Sequence, residues 1–209
     1  MISENELIEQ SDQLLDLMKK RRTVRAFSKI KISRQVIENC IAIAATAPSG
    51  ANMQPWTFVL VEDPKTKKRI RKEAETVEKL FYEERISEEW RLKLKPLGTN
   101  PKKEFLTQAP FLICIFAQTF GINKRGKKIK HYYVNESVGI ATGFLISSLH
   151  QLGISSLTYT PAPMSFLNEL LDRPGNERPF MILAVGYPHQ NFKPPRLKKK
   201  DLDSILIRK

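Results

Sequence analysis

The chain has 209 residues, of which 41% are hydrophobic and 27% are charged. This composition is typical of a folded domain and excludes collagen-like and disordered proteins. A chain of this length can bury a core that needs no metal or disulfide, so we expect residues 1–209 to form a single domain. The longest apolar runs, such as residues 111–117, fall short of the roughly 18 residues that span a bilayer, and no membrane partner is expected.

The net charge of +13 at pH 7 would attract polyanions. The basic residues form four clusters, at residues 19–25, 65–72, 124–130 and 193–200. The sequence has no RNA-binding motif, zinc-finger spacing or basic zipper, so a nucleic-acid partner is not expected. The guanidinium groups of Arg21, Arg22 and Arg25 can instead clamp one phosphate of a small ligand. A solvated basic helix end and a general polyanion-binding protein stay open as alternatives.

Two features favour a cytoplasmic protein. The first residues include Glu4, Glu6 and Glu9, whereas a secretory signal would begin with basic residues and continue with an apolar run. Cys40 and Cys114 each lie in an apolar periodic segment, where thiols act as small hydrophobic groups rather than as a redox pair. The three histidines match no metal-ligand spacing, so no metal site is expected.

The residue pattern of the N-terminal part predicts two helices. The first covers residues 11–20, with Ser11 or Asp12 as its cap, and carries the arginine cluster at its end. The second begins after Ser33, and its apolar residues recur with a period near 3.6 as far as Ala44.

The middle of the chain alternates between extended and helical patterns. Residues 48–52 predict a tight loop and residues 57–61 a β-strand. Pro64 stands in the first turn of a helix that runs toward Arg85. The continuous apolar run at residues 110–117 predicts a central strand covered on both faces.

The C-terminal half contains a second central strand. Residues 121–126 predict a basic, glycine-containing loop, and residues 134–151 a long apolar helix. In that helix Gly139 and Gly143 are four residues apart and allow close helix packing. The apolar run at residues 180–187 predicts the other central strand.

Three ordered blocks carry a specific pattern: RRTVRAF at residues 21–27, APSGANMQPW at residues 47–56 and VGYP at residues 185–188. Together they resemble the FMN-dependent nitroreductase superfamily. A second set is similar in identity and spacing to its iodotyrosine deiodinase branch and comprises Glu78, Tyr82, Trp90, Thr99, Asn100, Lys103 and residues 158–161. The resemblance covers residues 19–203, nearly the whole chain.

The resemblance implies an α+β fold with a mainly antiparallel sheet flanked by helices, assembled as an intertwined homodimer with FMN at the interface. Residues 75–106 are expected to form a substrate-covering helix and lid. The implied activity is FMN-dependent reductive dehalogenation of a halogenated tyrosine, with NAD(P)H or a separate reductase as electron donor. The alternative is a broad-specificity NAD(P)H-dependent nitroreductase or quinone reductase. Asn52 keeps it open, because animal deiodinases carry histidine there and bacterial nitroreductases commonly carry asparagine.

The resemblance also implies the contacts of the FMN phosphate. It assigns Arg21, Arg22 and Thr23 to the phosphate and Arg25 to the side of the isoalloxazine ring. Lys199 stands where the deiodinases usually carry arginine. A lysine keeps the charge but loses the bidentate fork, so this contact is expected to be weaker.

The other implied flavin contacts come from two short segments, and they are Ser49, Gly50, Thr158, Tyr159 and Thr160. The small residues Ser49 and Gly50 let backbone N–H groups approach a planar ligand. The N–H of Ala51 is expected to bind the substrate phenolate. Thr160 is the implied catalytic residue, because its hydroxyl would approach flavin N5 and favour one-electron steps.

Three further residues suit the binding of an amino acid. Glu78 and Tyr82 are four residues apart on the predicted helix, so their side chains are neighbours on one face. A zwitterion needs a carboxylate for its ammonium group and cationic or hydroxyl donors for its carboxylate, and Lys103 completes that set. From the residues alone, an exposed helical pair and an unrelated lysine would also fit. With the resemblance, we expect these three residues to bind an aromatic amino-acid substrate.

Overall fold

A computed structural model describes residues 2–195 and 197–209 and has an α+β architecture with helices on both faces of a sheet. Its helices are α1 (Glu4–Lys19), α2 (Arg34–Ala44), α3 (Pro64–Leu80), α4 (Glu88–Leu94), α5 (Phe105–Gln108), α6 (Val134–Gln151) and α7 (Phe166–Leu170). Its strands are β1 (Trp56–Val61), β2 (Phe111–Gln118), β3 (Phe120–Ile122), β4 (Lys128–Lys130), β5 (Ser155–Tyr159) and β6 (Glu177–Gly186).

The main sheet has the order β1-β2-β6-β5, and each of its neighbouring strands pairs antiparallel. The two predicted apolar strands, β2 and β6, are its central strands, as expected for continuous hydrophobic runs. The β2–β6 ladder contains an irregularity between Ile115 and Phe116. The predicted α+β class and the mainly antiparallel sheet are confirmed.

Alternate residues of β2 enter two separate hydrophobic cores because side chains point to opposite faces along a strand. One core lies under α3, α5 and α7, and β2 contributes Leu112, Cys114 and Phe116 to it. The other lies under α2 and α6, and β2 contributes Ile113 and Ile115. A central strand buried on both faces thus holds the two helical layers together.

The N-terminal helix begins earlier than the sequence predicts. α1 starts at Glu4, and Ser3 caps it: the Ser3 Oγ accepts from the Glu6 N–H at 3.3 Å, while the Glu6 carboxylate accepts from the Ser3 N–H at 2.8 Å. This reciprocal pair is a capping box. The predicted cap at Ser11 or Asp12 is wrong, because both lie inside the helix and Ser11 donates to the Ile8 carbonyl.

Other predicted bounds need smaller corrections. The prediction for α6 is confirmed at both ends, and Ser33 is the residue before α2, although its side chain makes no capping hydrogen bond. The predicted basic loop at residues 121–126 is the tip of a β3–β4 hairpin. Strand β5 was not predicted, because its sequence SSLTY is short and half polar.

Both cysteines are buried and free, as expected for structural thiols. Burial raises the pKa of Cys114 to about 12, so this thiol stays protonated at neutral pH. In the described part of the chain, none of the helices combines the length and apolar character needed to cross a bilayer.

The segment after α1 extends the sheet beyond β5. Thr23 bridges Ser156 in parallel orientation, and the N–H of Val24 donates to the Ser156 carbonyl at 3.3 Å. Further along, Phe27 bridges Pro188, which follows β6. These contacts hold the arginine cluster against β5.

Two side chains pack closely against Gly186 at the end of β6, and this contact gives a test of the packing. A Cβ on Gly186 would lie 2.6 Å from Pro110 Cδ and 3.0 Å from Phe27 Cδ1. Gly186→Ala should therefore lower the free energy of unfolding by about 1 to 3 kcal/mol in urea denaturation. Gly175→Ala is the matched control, because a Cβ there meets no atom within 4 Å in the described structure. Equal unfolding midpoints for the two variants would contradict the packing.

Candidate active site

Three of the predicted substrate residues meet in one cluster. Glu78 lies in the last turn of α3, Tyr82 in the π-helical turn Phe81–Arg85 that follows it, and Lys103 in the segment before α5. Lys103 Nζ lies 2.9 Å from Glu78 Oε2, with the two side chains only 8% and 12% exposed. From the residues alone, Glu78 and Tyr82 could also have formed an exposed helical pair unrelated to Lys103. The structure instead contains a nearly buried Glu78–Lys103 ion pair.

Lys103 has further partners that fix its position. Its Nζ donates to the Asn100 carbonyl at 2.7 Å and lies 5.5 Å from the ring centroids of both Tyr82 and Tyr159. Cation–π contacts of this kind stabilise an ammonium group that is partly removed from water. The Lys103 charge is thus held by one carboxylate, one carbonyl and two aromatic faces.

Glu75 is a residue of this site that the sequence analysis missed. Its Oε1 accepts from the Lys103 backbone N–H and from Arg71 Nε, both at 2.7 Å. Burial alone would raise the pKa of Glu75, but these hydrogen bonds and the Arg71 charge outweigh it and lower the pKa. Arg71 and Glu75 are four residues apart on α3, which was the available signal. Glu75 anchors the backbone that carries Lys103.

The segment between Tyr82 and Lys103 folds over the cluster. The Tyr82 hydroxyl donates to Thr99 Oγ1 at 2.9 Å, and the Arg91 guanidinium donates to the Tyr82 carbonyl at 3.0 Å. The Phe81 and Trp90 rings meet edge to face with centroids 5.0 Å apart. These contacts connect α4 and the loop after it to the end of α3. The lid limits at residues 75–106 stay a prediction.

The predicted flavin residues on β5 line the same region. Thr160, Glu78, Tyr82 and Lys103 all line one cavity of about 240 Å³. Thr158 and Thr160 are exposed, whereas Tyr159 between them is buried. Tyr159 also lines this cavity, although its side chain is largely buried.

The arginine cluster runs beside β5 in a defined order. Arg21 and Arg22 line a cavity of about 260 Å³ that includes Ser155 and Ser156. Arg25 lines a cavity of about 340 Å³ together with Thr158, Tyr159 and Lys103. Burial lowers the pKa of Arg25, an effect that the nearby Tyr82 phenol opposes. The predicted phosphate contacts thus lie at the start of β5, and the predicted ring contact lies near its end.

The predicted loop residues Ser49, Gly50 and Ala51 lie elsewhere. They precede β1, at the sheet edge opposite β5, and three strand spacings correspond to about 14 Å. A Cβ on Gly50 would lie 2.9 Å from Tyr133 Cδ2, next to the start of α6. The three cavities around β5 are lined, within the described residues, by none of these loop residues. One chain therefore does not bring the two groups together.

The loop before β1 nevertheless has an unusual backbone. Ala51, Asn52 and Gln54 all have positive φ, between 48° and 54°. Non-glycine residues adopt this region rarely, and such strain is typical of functional sites. The N–H groups of Gly50, Asn52, Met53 and Gln54 have acceptors, whereas that of Ala51 has none among the described residues. Ala51 thus presents a free donor to solvent.

Lys199 is exposed, and the described residues include no hydrogen bond or ion pair that involves it, so its contact with the FMN phosphate stays a prediction. The histidines make structural contacts: His131 Nδ1 lies 3.0 Å from the Gln118 carbonyl, and His150 Nε2 lies 2.8 Å from the Leu17 carbonyl.

The donor set beside β5 suits a phosphorylated planar cofactor. Guanidinium groups at one end match a phosphate, and they lie next to the hydroxyls of Ser155 and Ser156. The other end offers a guanidinium at Arg25 and the exposed hydroxyls of Thr158 and Thr160, which match the polar edge of a heterocycle. The residues present therefore fit a flavin mononucleotide.

Comparisons with known proteins agree with this geometry. A family model described as the nitroreductase family matches residues 18–187. The iodotyrosine deiodinase of Haliscomenobacter hydrossis is 47% identical over 202 residues, which cover 97% of this chain and 91% of that protein. Iodotyrosine deiodinase 1 of Homo sapiens is 44% identical over 205 residues, covering 98% and 71%.

Solved structures give the same result. A crystal structure of oxidized iodotyrosine deiodinase bound to FMN and 3-iodo-L-tyrosine superimposes with a TM-score of 0.80 at 35% identity, covering 93% of this chain and 97% of that one. A nitroreductase family protein from Streptococcus pneumoniae has the same fold, with a TM-score of 0.66 at 20% identity over 93% and 99% of the chains. The chain therefore belongs to the nitroreductase family and, within it, to the iodotyrosine deiodinase group.

Proposed function

We propose that this protein is an FMN-dependent oxidoreductase that removes halogen from halogenated tyrosines. The observation that carries the proposal is the nearly buried Glu78–Lys103 pair, which lines one cavity with Thr160. The similar deiodinase structure holds FMN and 3-iodo-L-tyrosine. A pair of opposite charges next to a flavin-type donor set is the arrangement that an aromatic zwitterion needs.

The cofactor contacts that we assign follow the order in which the residues line the cavities along β5. We assign Arg21, Arg22 and Thr23 to the FMN phosphate and Arg25 to the ring. Thr158 and Thr160 supply hydroxyls to the ring edge, and Thr160 is the donor that we assign to flavin N5. When bound, FMN supplies the two electrons that, with one proton, convert a carbon–halogen bond into a carbon–hydrogen bond and a halide ion.

Substrate binding would replace the Glu78–Lys103 ion pair with two new ion pairs. Its ammonium group takes the Glu78 carboxylate, while its carboxylate takes the Lys103 ammonium and the Tyr82 hydroxyl. Because each buried charge keeps an opposite charge, the exchange avoids the large cost of an unpaired buried ion. On binding, the Tyr82 hydroxyl would turn its proton from Thr99 Oγ1 to the substrate carboxylate, while the Arg91 contact with the Tyr82 carbonyl keeps α4 attached to the end of α3.

The phenolate end of the substrate requires a donor, and we assign it to the free N–H of Ala51. Because Ser49, Gly50 and Ala51 lie at the far edge of the sheet, this donor would come from a second copy of the chain. A homodimer with two such sites at its interface is therefore part of the proposal.

Apolar surface supports such a dimer. The outer face of α6 exposes Ile140 by 42% and Phe144 by 40%, and a Cβ on Gly139 or Gly143 would meet no atom within 4 Å in the described chain. The C-terminal tail also exposes large apolar residues, and these are Leu202, Ile205, Leu206 and Ile207. Patches of this kind mark interaction surfaces.

Two parts of the proposal rest on the sequence. The electron donor is NAD(P)H or a separate reductase, as the resemblance to the iodotyrosine deiodinases implies. A cytoplasmic location is supported by the two free, buried thiols, since reducing compartments keep cysteines unpaired. A broad nitroreductase or quinone reductase is the competing function, and it would use the same cofactor without the zwitterion contacts.

The role of Glu78 gives the sharpest test of the substrate class. Glu78→Gln removes the charge that would hold the ammonium group, so the dissociation constant of 3-iodotyrosine should rise by about 10- to 100-fold. Binding of 2-iodophenol, which lacks the zwitterion, should change by less than about twofold. Quenching of flavin fluorescence during titration of the oxidised holoprotein measures both constants.

Glu83→Gln is the matched control, because Glu83 lies in the π-helical turn that directly follows α3 and its carboxylate is 57% exposed. It should leave both constants unchanged. A Glu78→Gln variant that binds 3-iodotyrosine as tightly as the wild type would favour the broad nitroreductase. A protein that does not take up FMN would exclude both activities.

The dimer has its own test. Ile140→Glu combined with Phe144→Glu places two charges on the outer face of α6, so analytical ultracentrifugation should detect monomers. FMN occupancy should fall in parallel if the site needs two chains. Ile30→Glu is the control, because Ile30 is a 61% exposed residue of the loop before α2. A double variant that stays dimeric with full FMN would contradict the proposed interface.

A further inference from the structure

The hydroxyl of Tyr159 is buried and has no hydrogen-bond partner, alone among the buried side-chain polar atoms of residues 2–195 and 197–209. The residue as a whole is 9% exposed. A buried O–H without an acceptor is unfavourable, and such groups are rare in folded proteins. The hydroxyl therefore points to a second state of the site in which it has a partner.

The surroundings of Tyr159 identify that partner. Its ring packs edge to face against Phe105 at 5.3 Å between centroids, and Lys103 Nζ lies 5.5 Å from its centroid. Tyr159 lines the same cavity as Glu78 and Lys103. Burial is the largest cause that raises the pKa of Tyr159, followed by the negative charge of Glu78 and the approach of its carboxylate to the hydroxyl. The phenol is thus a permanently protonated donor close to the Glu78 carboxylate, whose Oε2 is taken by Lys103.

We propose that Tyr159 is a positioning residue for amino-acid recognition, whose hydroxyl donates to the Glu78 carboxylate when a zwitterionic substrate draws Lys103 away. This inference rests on the proposed function. The substrate carboxylate attracts Lys103 Nζ, so Glu78 is released and its two oxygens can accept from the substrate ammonium group and from the Tyr159 hydroxyl. A shift of the released Glu78 carboxylate toward the Tyr159 hydroxyl then satisfies both groups. The hydroxyl keeps its proton throughout, and no bond other than hydrogen bonds is made or broken.

This role has opposite consequences in the two states. In the ligand-free protein the unpaired hydroxyl destabilises the fold, whereas in the complex it stabilises the Glu78 carboxylate that holds the substrate ammonium. Tyr159→Phe removes the hydroxyl and keeps the ring that contacts Phe105 and Lys103. A hydroxyl with a purely structural role would show the reverse pattern, because its loss would lower stability and affect all ligands alike.

The experiment compares wild type, Tyr159→Phe and Tyr187→Phe, the last removing a hydroxyl from a half-buried ring outside the site. Isothermal titration calorimetry of the oxidised, FMN-loaded proteins measures binding of 3-iodotyrosine and of 2-iodophenol. For Tyr159→Phe, the dissociation constant of 3-iodotyrosine should rise about tenfold, as for loss of one hydrogen bond to a charged group. That of 2-iodophenol should stay within about twofold. The ligand-free melting temperature should be equal or higher, and Tyr187→Phe should bind both ligands like wild type.

Three results would overturn the inference. Wild-type affinity for 3-iodotyrosine in Tyr159→Phe would overturn it alone and leave the proposed function intact. Equal losses for both ligands, a lower melting temperature or reduced FMN content would assign the hydroxyl to folding or cofactor binding. A wild-type protein that does not prefer 3-iodotyrosine over 2-iodophenol would remove the proposed function, and the inference with it.

Discussion

The candidate site depends on one ion pair, between Glu78 at the end of α3 and Lys103 before α5. Two charges removed from water are costly unless each has a partner, so the pair constrains both segments and the lid between them. The same pair provides specificity. A zwitterion can replace each partner with an equal charge, whereas a neutral aromatic compound that entered between them would leave both charges unpaired. The preference for amino-acid substrates thus follows from the free-energy cost of separating Glu78 from Lys103 without giving each a new partner of opposite charge.

A second constraint sets the direction of the site. The contact of Thr23 with Ser156 places the arginine segment alongside β5, where Arg21 and Arg25, four positions apart, can be separated by up to about 13 Å. That separation puts phosphate-binding charge at one end and ring-binding groups at the other. The Ala51 donor lies at the opposite edge of the sheet, which is why the proposed site takes this donor from a second copy of the chain.

Local patterns predicted those parts of the fold that depend on local chemistry. The apolar runs of β2 and β6 and the helix α6 were evident because hydrophobic periodicity determines them. Strand β5 was missed, since SSLTY becomes a strand through pairing with β6 and Thr23 rather than through its own composition. The proximity of Glu78 and Tyr82 followed from their spacing, but Lys103 reaches them only through the lid. The unpaired Tyr159 hydroxyl depends on side chains from three segments and has no sequence signature.

The proposed binding mode requires the Glu78–Lys103 pair to open for a zwitterion above the cofactor. A crystal structure of the oxidised holoprotein with 3-iodotyrosine tests it most directly. In the expected complex the substrate ammonium group lies within hydrogen-bonding distance of Glu78, its carboxylate on Lys103, and its phenolate on the Ala51 N–H of a second chain. An intact Glu78–Lys103 pair, with the ligand bound elsewhere on the flavin or on a single chain, would contradict it.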